Sequence, residues 1–178
     1  MADQPPSTLP SPKRRWLMKT AVVIGAAGAA LGGSVFWHRG MADGKLTEYG
    51  ADVLRGLARG VLSDILPKEP AQRQAALDAH VRRMDAFLNN LPHSLRNEIN
   101  ALLGLLANPP TRYLVAGLGQ SWSSASDAEI TRALEYMRLN ALPTTQMAYH
   151  AVRDITCVMF FTAPENWSLV GYPGPMNV

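Results

Sequence analysis

Proline divides this chain into units that can only be short helices. Between Pro70 and Pro92 lie Leu77, Val81, Met84, Leu88 and Leu91, stepping by four, three, four and three residues. That spacing puts all five on one side of an α-helix, with Asp78, Arg82 and Asp85 on the other. Pro70 suits the first turn, where no amide partner is needed, and Pro92 stops the helix. The same punctuation recurs along the chain. A helix over 47–66 carries Leu54, Leu57, Ala58, Val61, Leu62 and Ile65 on one face and ends at Pro67. Ser94 is positioned to cap a third, with Leu95, Ile99, Leu102, Leu103 and Leu106 inward, up to Asn108-Pro109-Pro110. A short segment over 111–117 follows. Ser126 and Glu129 have capping-box spacing, in which hydroxyl and carboxylate satisfy free amides reciprocally, ahead of Ile130, Ala133, Leu134 and Met137. Pro143-Thr144 opens the last helix, which runs to about Thr162. No period-two alternation marks a strand. The pattern predicts an all-α protein, a compact bundle of about five to six helices over 40–178. An irregular tail carrying Pro, Gly and aromatic residues closes it.

Gly50, Gly56 and Gly60 weaken the first helix in principle. Two readings stand: close packing that needs glycine, or a tolerated cost. Gly40 to Gly44 reads as a short linker.

The balance of charge misleads until it is divided. The chain has 17 Lys+Arg against 14 Asp+Glu, but Lys13, Arg14, Arg15, Lys19, Arg39 and Asp3 all precede residue 40. Setting them aside leaves the body with 12 basic and 13 acidic groups. No basic stripe with interleaved aromatics remains, which excludes nucleic acid as the expected partner. Cys157 is the single cysteine, so no internal disulfide forms and stability must come from an apolar core. A body of this length can hide about two thirds of its unfolded surface.

Residues 1–39 have the composition of an export signal. Met1 to Pro12 is proline-rich and without apolar period. Then Arg14-Arg15, a free position, the apolar pair Leu17-Met18 and Lys19 form the twin-arginine pattern. Ala21 to Trp37 is uncharged and only mildly apolar, as suits a receptor-read signal helix. The expected address is the periplasm, reached folded by the twin-arginine translocon. No clean cleavage site lies between Val35 and Gly40, so release and retention at the inner membrane by an uncleaved signal are both open.

The last helix has two faces. Met147, Ala148, Ala151, Val152, Ile155, Val158 and Met159 form the expected core stripe. The opposite side holds Tyr149, His150, Arg153, Asp154, Cys157, Phe160 and Phe161. Those aromatics need a second burial partner, either within a helix packed on both sides or in another subunit, where aromatics and Arg are enriched. Trp167 and Tyr172 raise the same alternative for the tail. The candidate partner interface is therefore Tyr149, Arg153, Cys157, Phe160, Phe161, Trp167 and Tyr172. No catalytic constellation is legible. His38, His80, His93 and His150 show no metal-ligand spacing. Cys157 and His150 stand about 10 Å apart along a helix axis, too far for a nucleophile and its base. No cofactor or metal is expected in the chain itself.

Several of these marks coincide. Leu105-Leu106-Ala107-Asn108-Pro109, Arg112-Tyr113-Leu114, Gly117-Leu118 and Trp122 precede Ala148-Tyr149-His150-Ala151-Val152-Arg153-Asp154, then Pro164, Trp167 and Gly171-Tyr172-Pro173-Gly174-Pro175. Together with the leader, they resemble the twin-arginine small subunits that accompany FAD-dependent dehydrogenases of the glucose-methanol-choline type, the gluconate 2-dehydrogenase subunit 3 group. The resemblance spans most of residues 13–175. It implies a non-catalytic accessory subunit that binds a folded flavoprotein lacking its own signal and carries it through the translocon. FAD then belongs to the partner, and a cytochrome subunit often completes such complexes. The alternative is a free-standing, membrane-tethered periplasmic adaptor.

Overall fold

The computed structural model describes residues 38–175. The residues expected to form the export signal, Arg14, Arg15, Leu17, Met18 and Lys19, and the expected signal helix, lie outside the described residues. The described chain is mostly helical: α1 Glu48–Val61, α2 Pro70–Asn89, α3 His93–Ala107, α4 Pro109–Ala116, α5 Asp127–Leu139 and α6 Pro143–Phe161, then a 3-10 helix over Pro164–Val170. A two-stranded antiparallel hairpin, β1 Met41–Ala42 and β2 Lys45–Leu46, precedes α1. The segment read as a linker is thus paired. Asp43 and Gly44 both take positive φ, the geometry that Asp-Gly supplies to a two-residue hairpin turn.

Local chemistry explains most helix ends. Thr47 caps α1 by accepting from the Gly50 amide. Glu69, rather than a hydroxyl, caps α2 through the amides of Ala71 and Gln72. The α5 capping box is complete, with both Ser126–Glu129 bonds formed. The structure shifts two expected boundaries. Residues 62–66 continue α1 as turns rather than helix, and α3 begins at His93 behind Pro92, without a side-chain cap from Ser94.

Helix α1 is central, packing against α2, α3, α5 and α6. Its glycines are the contact points. A Cβ on Gly56 would stand 2.6 Å from Cβ of Trp122, one on Gly60 2.5 Å from Cδ1 of Leu134, and one on Gly50 would collide with the Gly40 carbonyl. Close packing, the first of the two readings, is what the glycines serve. The main core joins Val53, Leu54, Leu57, Met84, Leu88, Leu103, Leu106, Trp122, Ile130 and Met137. A smaller cluster gathers Ala58, Leu62, Leu66, Leu77 and Phe160.

Three motif residues in the middle of the chain, Asn108, Arg112 and Trp122, are buried, while Tyr113 and Leu114 are exposed. Trp122, fully buried, donates from Nε1 to the Leu106 carbonyl at 2.9 Å. Arg112, also buried, donates to the carbonyls of Ala107, Leu118 and Gly119. Asn108 donates to the Gly104 carbonyl at 2.8 Å, and its Oδ1 meets Nδ1 of His38. The bonds to Leu106 and Ala107 satisfy carbonyls left free at the end of α3, and those to Leu118 and Gly119 fix the loop that follows α4. On the surface, Asp127 receives both Arg59 and Arg73, tying α5 to α1 and α2. Burial raises the Asp127 carboxyl, but the hydrogen bonds from Arg73 and Arg59 outweigh it and hold the group below its ordinary value.

Candidate partner-binding surface

Helix α6 buries Thr145, Ala148, Val152, Thr156, Met159 and Phe160. The buried stripe is rotated from the one expected, toward the threonines and Phe160 and away from Val158, which is 52% exposed. Two corrections follow. Phe160 is not a surface residue: it is 1% exposed and fills the cluster between α1 and α2. Val158 leaves the core stripe and joins the outer face. The threonines disguised the true face, because a polar residue is a poor marker of a core. Thr156 is admitted there because its hydroxyl donates to the Val152 carbonyl at 2.7 Å within its own helix.

The other expected interface residues fall in three settings. Tyr149 is half-buried, packed against the core and edge-on to the exposed His150. Arg153 is exposed beside Asp154, at 3.4 Å. Cys157 is a half-buried free thiol; burial pushes it up from its ordinary value, with Arg153 opposing and Asp154 reinforcing the shift. A raised thiol holds less thiolate and is a weaker nucleophile.

The tail is not irregular throughout. Its 3-10 helix caps α6: Asn166 donates from Nδ2 to the Phe160 carbonyl and Trp167 from Nε1 to the Phe161 carbonyl, each at 2.8 Å. Both carbonyls belong to the last turn of α6, where no helical amide remains to meet them. Tyr172 turns back over Trp167, ring centroids 5.3 Å apart, and its amide donates to the Trp167 carbonyl. Gly171 and Gly174 take positive φ to make this turn. Arg83 on α2 pairs with Glu165 at 2.8 Å and fastens the 3-10 helix to the bundle. Of the two readings of the tail, its backbone takes the intramolecular one.

Its outward side chains remain uncovered. Val158 and Phe161, three residues apart on the outer face of α6, are 52% and 40% exposed; Leu169, Val170 and Tyr172 are 46%, 41% and 49% exposed. Exposed apolar side chains also stand elsewhere, Tyr113, Leu114, Leu139 and Leu142 among them, but those of the tail are set on a backbone fixed by capping bonds and can supply area for association with little loss of chain entropy. Sequence reasoning found Phe161 and Tyr172. It missed Leu169 and Val170, whose only signal was two adjacent aliphatics in a polar, proline-flanked stretch.

Among the described residues, no group of His, Cys, Asp and Glu is arranged to hold a metal ion, and no helix is long and apolar enough to cross a membrane. Comparison with protein-family models, curated proteins and solved structures returns no match.

Proposed function

We propose that the chain is the non-catalytic small subunit of a periplasmic FAD-dependent oxidoreductase of the glucose-methanol-choline type. In this reading it supplies the twin-arginine signal for co-export and stabilises the flavoprotein. The resemblance of residues 13–175 to such subunits suggests it. The observation that carries it is the apolar end made by Val158, Phe161, Leu169, Val170 and Tyr172, a surface whose composition fits the core of an association interface. FAD would be loaded into the partner in the cytoplasm, so the complex must cross the membrane folded. That requirement agrees with the Arg14-Arg15 signal.

The test is purification of the tagged full chain from its native cells. A flavoprotein, recognised by bound FAD, is expected to accompany it. Replacing Arg14 and Arg15 together by Lys should leave both proteins in the cytoplasm, and Phe161→Asp with Leu169→Asp should release the partner while the helical spectrum is kept. Recovery of a monodisperse monomer with no flavoprotein overturns the reading. One observation favours a second: the tail caps its own helix, as expected of a free-standing adaptor tethered by its leader. That protein would be recovered alone, at the membrane, and indifferent to the aspartate substitutions.

A further inference from the structure

The point at which the leader joins the body is fixed. His38 follows Trp37 without a spacer. It shares a hydrogen bond from Nδ1 to Oδ1 of Asn108 at 2.8 Å, and its ring meets Tyr49 edge-on with centroids 4.1 Å apart. Thr47 holds the next two residues, its hydroxyl donating to the Arg39 carbonyl and its amide to the Gly40 carbonyl. Asn108 stands immediately before α4, whose two sides divide in an uncommon way. Its one charged residue, Arg112, is buried with Thr111 and Ala116. Its outer side is Pro109, Pro110, Tyr113 and Leu114, all exposed and none charged. The outer side of α5 by contrast shows Arg132, Glu135 and Arg138. Eight residues of helix span about 12 Å, so the uncharged side of α4 begins at the leader junction and ends a short way from it. Tyr49, also exposed, stands at that junction.

We propose that, while the leader sits in a bilayer, the outer side of α4 together with Tyr49 rests on the lipid surface. Size and chemistry both select this occupant. A helix side about 12 Å long and 10 Å wide offers roughly 120 Å², against about 800 Å² on each partner of a stable protein interface. The face is too small to hold a folded partner or a second copy by itself. A membrane to which the chain is already tethered asks for no such area, because the contact is then intramolecular. Tyrosine suits the headgroup level, where the ring meets hydrocarbon and the hydroxyl stays wet. Pro109 and Pro110 have no N–H, so the first turn of α4 brings fewer free amides to be stripped of water. The stretch Ala21–Trp37 is uncharged and closes on Phe36-Trp37, aromatics of the kind that mark a membrane boundary, directly before His38. The inference rests on the leader as a membrane-inserted signal and not on the flavoprotein. The two surfaces are separate, since α4 packs on α3 and α5 whereas the 3-10 helix of the tail packs on α6.

The experiment reconstitutes the full chain, uncleaved and carrying Cys157→Ser, into vesicles of phosphatidylethanolamine and phosphatidylglycerol. An environment-sensitive fluorophore is attached at Leu114→Cys or, in a separate sample, at Leu169→Cys in the tail. The label at 114 should emit to the blue of its position in detergent-free buffer and lose most of its emission when the vesicles carry lipids brominated close to the headgroup. The label at 169 should do neither. Tyr113→Cys gives the same reading from the neighbouring position should Leu114→Cys fold poorly. A chain that floats with the vesicles while the 114 label stays as wet as the 169 label overturns the proposal alone. Equal quenching at both positions overturns it as well, because the body would then adhere without a preferred face. A blue shift at 114 that the brominated lipids do not quench shows that protein, either the leader or a second copy, covers the face, and also overturns it. A chain that does not float with the vesicles overturns it together with the reading of the leader as an anchor.

Discussion

Replacing Gly56 by alanine separates packing from helix propensity, because the two act in opposite directions. In an exposed helix interior the change would stabilise by about 1 kcal/mol. Here the new methyl would stand 2.6 Å from Cβ and 2.8 Å from Cε3 of Trp122. Trp122 is 0% exposed and held by its bond to the Leu106 carbonyl, so it has no free rotamer to take. Overpacking of this kind costs about 1–3 kcal/mol, and displacing the indole from Leu106 adds about 1 kcal/mol. The expected net loss is about 1–3 kcal/mol, or about 4–12 °C in melting temperature for a domain of this size. Gly60→Ala is the internal control. Its methyl would meet Cδ1 of Leu134, the end of a side chain that can turn, as well as Cγ2 of the buried, β-branched Ile130, so part of the clash can relax and its loss should be no larger than at Gly56. Thermal and urea unfolding followed by circular dichroism and tryptophan fluorescence measure both. A Gly56→Ala protein as stable as the parent, or a larger loss at Gly60 than at Gly56, would refute the reasoning.

Two further substitutions probe buried polar groups. His80 is 1% exposed, with neither ring nitrogen partnered among the described residues, and burial together with nearby Arg83 lowers it to about 4. Its contribution is fully present above the ordinary value near 6.5. As pH falls toward 4 the unfolded chain takes a proton the folded one refuses, a loss of about 3 kcal/mol. His80→Met should flatten that part of the stability profile, and a variant whose profile superimposes on the parent's from pH 7 to about 4 would contradict the assignment. Arg112→Lys keeps the charge but loses the planar fork that serves Ala107, Leu118 and Gly119. It should cost about 2–3 kcal/mol in urea unfolding, and a change below about 0.5 kcal/mol would show that those carbonyls find other donors.

The helices were legible because proline and leucine spacing state the same thing twice. Pro70, Pro92, Pro109 and Pro143 all stand at or beside helix starts or stops in the structure. Three misjudgements have physical causes. The hairpin is held by only two residue pairs, too few to show alternation, and its Asp43-Gly44 turn falls in the stretch that reads as a short linker. The orientation of α6 was wrong because Thr145 and Thr156 are core residues, and a hydroxyl that bonds its own helix cannot be told from a solvated one by sequence. The tail lacks apolar period, yet its order comes from Asn166 and Trp167 reaching carbonyls six residues back at the end of α6, side-chain capping that an apolar-period reading does not detect.

Burial also separates the marks that carried the resemblance into two kinds. Asn108, Arg112 and Trp122 are buried and bonded to backbone carbonyls. Substituting any of them would destabilise the junction of α3 and α4, so loss of a partner on such substitution would say nothing about contact. The surface marks lie in two places: Tyr113 and Leu114 on α4, both exposed, and the exposed residues of α6 and the tail. In the tail, Trp167 bonds the Phe161 carbonyl, and the rings of Phe161 and Tyr172 pack edge-on against Phe160 and Trp167, each with part of its surface exposed. Leu169, Phe161 and Tyr172 are the exposed positions here at which a partner-binding defect can be separated from a folding defect. Because the backbone beneath them is set by capping bonds rather than by those side chains, aspartate at each should leave the helices intact. A partner that survives all three substitutions must bind elsewhere, and the outer face of α6 around Arg153 would be the remaining surface of the expected interface.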